Sequence, residues 1–203
     1  MTGYELKQLA RQRLGMNIFG NIWITAMLII ILYGAMQGAA TAIIPGLGAV
    51  VVLGPLGYGL CAIFLRHVRT GETMRVEELF SGFTTDFGGT FLIGLMSQLF
   101  SALWGLLFVI PGICKAYSYS MAYFVKMDHP DYGWRECLDE STRLMTGHRW
   151  ELFGLDLSFI GWFIVGALCA GVGTFWVTAY FMETRALYYH NLVQNDRGYY
   201  FPV

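Results

Sequence analysis

The chain has 203 residues, of which 56% are hydrophobic and only 13% are charged, and its net charge is −1. Soluble domains are about a quarter charged, so this composition leaves too little polar surface to cover a globule in water. The near-zero net charge excludes a bulk field that would recruit nucleic acid, and the mean hydropathy of +0.51 favours an integral membrane protein.

Six apolar segments approach or exceed the length that a helix needs to cross a hydrocarbon core of about 30 Å. They are residues 20–44, 47–65, 87–110, 112–127, 152–170 and 173–192. Their apolar runs are continuous rather than alternating, which argues against barrel strands. The sequence therefore predicts an all-α integral membrane bundle in a single membrane domain, with about six transmembrane helices as three hairpins at 20–65, 87–127 and 151–194.

Two of these segments allow a second interpretation. Residues 112–127 are short and polar for a span, so an interfacial or re-entrant segment is the alternative. A span is favoured because Lys115 and Lys126 near its ends can extend to the headgroups. The first segment follows basic residues like a secretory signal, but its apolar stretch is too long for a signal core.

The connections between segments predict the orientation. The links at 45–46, 111–112 and 171–173 are short and uncharged, whereas the other connections and both ends carry the basic residues. Basic residues collect on the cytoplasmic side. Six spans place all of these basic segments on one side, so we expect both termini to be cytoplasmic and the chain to lie in the cell (cytoplasmic) membrane.

A charged, amphipathic segment precedes each hairpin, at residues 1–17, 72–86 and 128–150. Thr2 and Glu5 form a capping box for the first, and Asp131 is a candidate cap for the third. Such helices lie in the headgroup plane, although a docking surface for a cytoplasmic partner is the alternative. The recurrence suggests three repeated hairpin units, which helical hairpins of similar length would also produce by physics alone.

Several motifs resemble one family of bacterial membrane proteins. LFSGF at 79–83, FVIPGI at 108–113 and YSYSM at 117–121 resemble recurrent motifs of the family catalogued as domain of unknown function 975. The strongest match is STRLMTGHRWELF at 141–153, which continues into LSFIGW at 157–162. The resemblance implies a multi-pass protein of the cytoplasmic membrane, commonest in Gram-positive bacteria, and it implies no function.

Ionisable residues inside the predicted spans are the main candidates for function. Asp156 lies about one turn into the fifth span, and Glu183 and Arg185 lie in the middle of the sixth. A charge at the bilayer centre costs about 2.5–3.5 kcal/mol on insertion scales, so these groups should face the bundle interior. A hairpin turning near residue 172 brings Asp156 within reach of Arg185. Glu183 points elsewhere around the helix, and Lys115 is its candidate partner.

The polar groups of the last three spans support two interpretations, which the sequence weighs about evenly. In one they line a polar pathway or pocket, and in the other they pair structurally and fix the helix register. The intramembrane candidates are Asp156, Glu183, Arg185, Lys115, Tyr119 and Tyr180, with Ser118 and Ser120 beside them.

His148, Arg149 and Trp150 are interfacial candidates at the start of the fifth span. An anchor at headgroup level, with the tryptophan in the aromatic belt, is favoured over a catalytic or metal-binding role. No H-E-x-x-H, glycine-rich phosphate loop or G-x-S-x-G elbow occurs in the sequence. We therefore predict no metal, no cofactor and no enzymatic activity.

Small residues and cysteines give weaker indications. Gly34-x-x-x-Gly38 fits a helix-dimer motif, although packing within the chain is favoured. The glycines around Pro55 are predicted to break or bend the second span. Cys114 and Cys169 flank outer links and could approach each other on the oxidising side.

Three classes of function remain open. The favoured one is a non-enzymatic membrane module that supports transport, efflux or envelope tolerance, with the lipid bilayer and another membrane protein as partners. The second is a small-molecule or ion transporter that uses a polar pathway around Glu183 and Arg185. The third, an intramembrane enzyme acting on lipid, needs a nucleophile or metal set that the sequence does not offer.

Overall fold

The computed structural model describes residues 3–15, 20–43, 47–168 and 171–196, which contain helices and no β-strand. This confirms the all-α fold class. In chain order the helices are α1 (Gly3–Leu14), α2 (Asn21–Ile43), α3 (Leu47–Thr70), α4 (Ser81–Thr84), α5 (Phe87–Leu107), α6 (Val109–Tyr119), α7 (Ala122–Asp128), α8 (Trp134–Leu144), α9 (Arg149–Leu157), α10 (Ile160–Leu168) and α11 (Gly173–Asp196), with a 3₁₀ helix at Val76–Phe80 before α4.

Helix α1 is amphipathic, as the sequence predicts. Its buried side chains, Leu6, Ala10 and Leu14, recur every four residues and therefore share one face. The predicted capping residue Thr2 lies outside the described residues.

Of the predicted break or bend near Pro55, the break is wrong, because α3 continues through Pro55 as one helix. The neighbouring glycines instead allow other backbone segments to approach closely. A Cβ on Gly59 would overlap the carbonyl group of Leu79, and one on Gly54 would lie 2.7 Å from the carbonyl oxygen of Thr90. Gly54 and Gly59 are therefore points of close backbone contact.

The predicted link at 111–112 is also misplaced. Pro111 and Gly112 lie in the first turn of α6. The connection between α5 and α6 is instead Phe108, three residues before Pro111, whose backbone is extended (φ −151°, ψ 127°). Proline is tolerated at this position because the first N–H groups of a helix have no partner within it.

The predicted fourth span, 112–127, is divided between α6 and α7. The hydroxyl of Ser141 on α8 binds at this division, donating to the carbonyl oxygen of Ser118 at 2.6 Å. The hydroxyl oxygen of Ser141 also accepts a hydrogen bond from the backbone N–H of Met121 at 3.2 Å. A side chain from another helix thus satisfies backbone groups that the interruption leaves without helical partners.

The N-cap residue of helix α8 is Gly133 rather than the predicted cap Asp131. The carboxylate of Glu136 accepts a hydrogen bond from the backbone N–H of Gly133 at 2.7 Å, which satisfies one free donor of the first turn. The buried face of this helix carries Cys137, Leu138, Ser141 and Leu144.

Helices α10 and α11 form a close hairpin around Gly171, which has a positive φ of 78°. A Cβ on Gly166 would lie 2.9 Å from the carbonyl carbon of Gly173, so only a residue without a side chain fits there. Cys169, one member of the predicted cysteine pair, lies outside the described residues, and Cys114 is a free thiol.

The motif Gly34-x-x-x-Gly38 does not support the favoured packing within the chain. A Cβ on either glycine would meet no atom within 4 Å among the described residues. Both positions of α2 are exposed.

Three helical stretches are long and apolar enough to cross a membrane, judged by length and composition: Asn21–Ala42, Phe87–Leu106 and Arg149–Leu168. They coincide with the first, third and fifth predicted spans. Within the described residues the other predicted spans do not meet the same criteria, so six spans stay a prediction.

The chain divides into two compact units. The first unit comprises Met1–Leu32, Ile63–Val76 and Glu151–Val203, and the second comprises Tyr33–Ala62 and Glu77–Trp150. Helices α1, α9, α10 and α11 belong to the first apart from the first two residues of α9, whereas α5 to α8 belong to the second.

Candidate functional site

Glu183 lies at the centre of α11, and its side chain has no exposed surface. Residues on the same helix that are also buried include Val177, Ala179, Ala186 and Leu187. Neither carboxylate oxygen of Glu183 has a hydrogen-bond partner within the described part of the chain. Because an unpaired charge is costly in such surroundings, the group requires a nearby cation or a bound proton.

His67, near the end of α3, is the ionisable neighbour of Glu183. The imidazole Nε2 lies 3.8 Å from Oε1 of the carboxyl group, and the ring is 2% exposed. Its Nδ1 lies 2.7 Å from the backbone carbonyl oxygen of Glu72. A carbonyl oxygen only accepts, so Nδ1 carries a hydrogen and Nε2 is the atom that faces the carboxyl group.

The facing atoms are Oε1 of Glu183 and Nε2 of His67, and neither has a hydrogen-bond partner within the described residues. Without a proton between them, a bare carboxylate would face the lone pair of Nε2 in a buried site. With two protons, a buried imidazolium would face a neutral acid. A single proton within the site avoids both arrangements. We call this arrangement the Glu183–His67 pair.

Helix α1 contributes a further charge to this site. Arg13 donates a hydrogen bond to the backbone carbonyl of Val68, the residue after His67, and its positive charge acts on Glu183. The charged and titratable groups that act on the carboxyl group therefore come from α1 and α3, outside its own helix.

The predicted contact between Asp156 and Arg185 is confirmed. The Nη2 and Nε atoms of Arg185 lie 2.5 Å and 3.3 Å from the two carboxylate oxygens of Asp156. The guanidinium group also lies 4.8 Å from the centre of the Phe181 ring. A two-point bond of this kind constrains direction as well as distance, so it fixes α9 against α11.

Tyr180 holds α1 against the same region of the first unit. Its hydroxyl donates to the backbone carbonyl of Lys7 at 2.9 Å, and its ring meets Phe159 edge-on at 5.1 Å. The Lys7 ammonium lies 4.3 Å from the Phe159 ring centre and donates to the carbonyl of Ser158 at 3.3 Å. Burial lowers the pKa of Lys7.

Lys115 and Tyr119 belong to the second unit, together with Ser118 and Ser120. The Lys115 ammonium lies 5.9 Å and 5.6 Å from the ring centres of Trp104 and Tyr119. Within the described residues the ionisable side chain that faces Glu183 is His67, and Lys115 as its partner stays a prediction.

The interfacial candidates also lie in the second unit. His148 follows Gly147, a residue with a φ of +88°, and is half-buried. Arg149 begins α9, and Trp150 is 70% exposed. An exposed tryptophan is compatible with the predicted anchor, which stays a prediction.

Lys126, expected to extend outward to headgroups, is instead buried. Its ammonium binds one carboxylate oxygen of Asp86 at 2.7 Å and the backbone carbonyl oxygens of Pro130 and Tyr132 at 2.9 and 2.8 Å. All three donors of the ammonium group are used. Lys126 and the Gly89 N–H lower the pKa of Asp86, which caps α5.

The described residues contain no group of three or more His, Cys, Asp or Glu side chains arranged to hold a metal ion.

Residues 106–196 match the family model described as Protein of unknown function (DUF975). The match covers less than half of the chain, and it supports the resemblance to the DUF975 family. The DUF975 match includes Glu183 and the Asp156–Arg185 contact, whereas His67 and the motif at 79–83 precede it. Comparison with curated proteins and with solved structures gave no match.

Proposed function

We propose that this chain is a non-enzymatic, multi-pass protein of the cytoplasmic membrane that supports transport or efflux, and that the Glu183–His67 pair is its exchangeable proton site. The observation that carries the proposal is a fully buried carboxyl group that faces imidazole and has no hydrogen-bond partner in the described part of the chain.

The surroundings of the pair support a role in coupling. Ionisable groups inside apolar helical bundles mark ion and proton pathways by default. The pair joins α3 to α11, and Arg13 joins α1 to both, so a change in its protonation alters the forces among three helices. A conformational equilibrium can then respond to pH.

Infrared difference spectra of the purified protein at acidic and alkaline pH test the proton site. We expect a carboxylic acid C=O band that is lost in Glu183→Gln and is retained in the matched control Glu77→Gln, since Glu77 is exposed. His67→Gln should shift the pH at which the band appears. A difference spectrum of Glu183→Gln identical to that of the unmodified protein would contradict the proposed proton site.

Reconstituted vesicles distinguish a supporting module from a transporter in its own right. With an imposed pH gradient and an internal pH dye, a transporter dissipates the gradient alone and stops doing so in Glu183→Gln. A supporting module does not dissipate the pH gradient alone and does so only together with a co-purified membrane partner. Activity that is unchanged by Glu183→Gln in both arrangements contradicts the role of the pair.

A further inference from the structure

A cavity of about 200 Å³ in the first unit is lined mainly by aromatic side chains and one cation. Its lining residues are Arg11, Trp23, Trp162, Trp176, Val177 and Tyr180. They come from α1, α2, α10 and α11, all within the first unit, and we call this cavity the tryptophan pocket. It is separate from the Glu183–His67 pair, which contributes no lining residue.

The polar ends of two lining residues are turned to the protein backbone. The indole N–H of Trp23 donates to the carbonyl of Gly15 at 2.8 Å, and the hydroxyl of Tyr180 donates to the carbonyl of Lys7 at 2.9 Å. These side chains therefore offer mainly ring surface to the cavity, which suits an apolar ligand group.

Arg11 gives the tryptophan pocket a charge at one side. The residue is exposed, and it forms no ion pair with any described residue. Its planar guanidinium can bind two oxygens of a phosphate at once. Lys7 and Arg13 on the same helix add positive charge, but both already donate to backbone carbonyls.

An apolar cavity beside an arginine that has no ion pair among the described residues is complementary to a molecule with an anionic head and an apolar chain. The pocket also adjoins two stretches that are apolar enough to span a membrane, Asn21–Ala42 and Arg149–Leu168. Amphipathic helices and tryptophans are the elements that proteins place at headgroup level. We infer that the tryptophan pocket binds an anionic phospholipid, with its phosphate on Arg11 and part of an acyl chain against Trp162 and Trp176.

Quenching of tryptophan fluorescence by lipids brominated in the acyl chain tests this inference. The full-length protein in zwitterionic nanodiscs is titrated with brominated phosphatidylglycerol or brominated phosphatidylcholine. We expect quenching at a lower mole fraction for the anionic lipid. Arg11→Gln should raise that mole fraction about fivefold, the factor that corresponds to one basic residue near an anionic surface. The matched control Arg75→Gln, also exposed, should leave it unchanged.

Two further measurements locate the lipid in the pocket. Trp162→Phe and Trp176→Phe should each reduce the amount of fluorescence that the anionic lipid quenches. Trp134→Phe, in the second unit, should leave that amount unchanged. Soluble glycerol phosphate should fail to reverse the quenching. Equal quenching by both lipids, no shift in Arg11→Gln, or full reversal by glycerol phosphate overturns the inference.

Discussion

Two buried ionisable side chains, Lys126 in the second unit and Glu183 in the first, have opposite surroundings. The Lys126 ammonium has a carboxylate and two carbonyl oxygens within 2.9 Å. The Glu183 carboxyl group has an imidazole at 3.8 Å and no hydrogen bond within the described residues.

This difference separates a structural charge from a titrating one. All donors of Lys126 are satisfied in one geometry, which makes its charge part of the local structure. The state of Glu183 depends on where one proton lies, because its oxygens have no fixed donor. A buried group with incomplete bonding is therefore the better candidate for function, and one with complete bonding is the better candidate for stability.

The largest effect that we expect comes from replacing the structural charge. Lys126→Met keeps the apolar stem but leaves Asp86 and two carbonyl oxygens without their donor, so we expect a loss of about 2–3 kcal/mol in the free energy of unfolding. Glu183→Gln, which removes a buried acid and keeps its volume, should change stability by less than about 1 kcal/mol. Urea unfolding in detergent measures both. Equal losses of unfolding free energy in the two variants would contradict the distinction between the roles of Lys126 and Glu183.

Glycine substitutions test how tightly the second unit is built. In Gly59→Ala the new methyl group would overlap the carbonyl of Leu79, so we expect a loss of about 1–3 kcal/mol. Gly34→Ala on α2 is the matched control, because its methyl group would meet no described atom and alanine favours helix by up to about 1 kcal/mol. A stable Gly59→Ala protein would mean that α3 is free to move away from Leu79.

The sequence predicted the helices and the Asp156–Arg185 contact because both depend on local information. Continuous apolar runs mark helices, and one tight hairpin sets which residues of its two arms face each other. Glu183 was recognised as a candidate, but its partner was missed, since His67 lies on a helix far away in the sequence. The only available signal was that His67 lies near the inner end of a predicted span, and because the other three histidines also lie at or near such ends, it was not distinctive.

Errors at the helix ends had a different cause. Gly133 caps α8 in place of Asp131 because Glu136 reaches back to its N–H, a choice decided by side-chain geometry. Lys126 was expected at the headgroups on the basis of its position alone. Its burial depends on carbonyl groups at Pro130 and Tyr132, which only the fold brings together.

The smallest effect that we expect is the change with acidic pH in the stability that Asp86, the carboxylate partner of Lys126, contributes. The pKa of Asp86 is lowered in the folded protein, so its charge stabilises the fold above the unfolded pKa of about 3.9. This contribution is lost as the pH falls through the lower, folded pKa. The carboxylate is 40% exposed, which limits the contribution to about 1 kcal/mol or less. The stability gap between the unmodified protein and Asp86→Asn should therefore be open at pH 6 and close as the solution becomes more acidic than the folded pKa, measured by urea unfolding at each pH. A gap that widens in acid would show that the ammonium of Lys126 does not depend on this carboxylate, and the comparison with Glu183 would then rest on the two carbonyl groups alone.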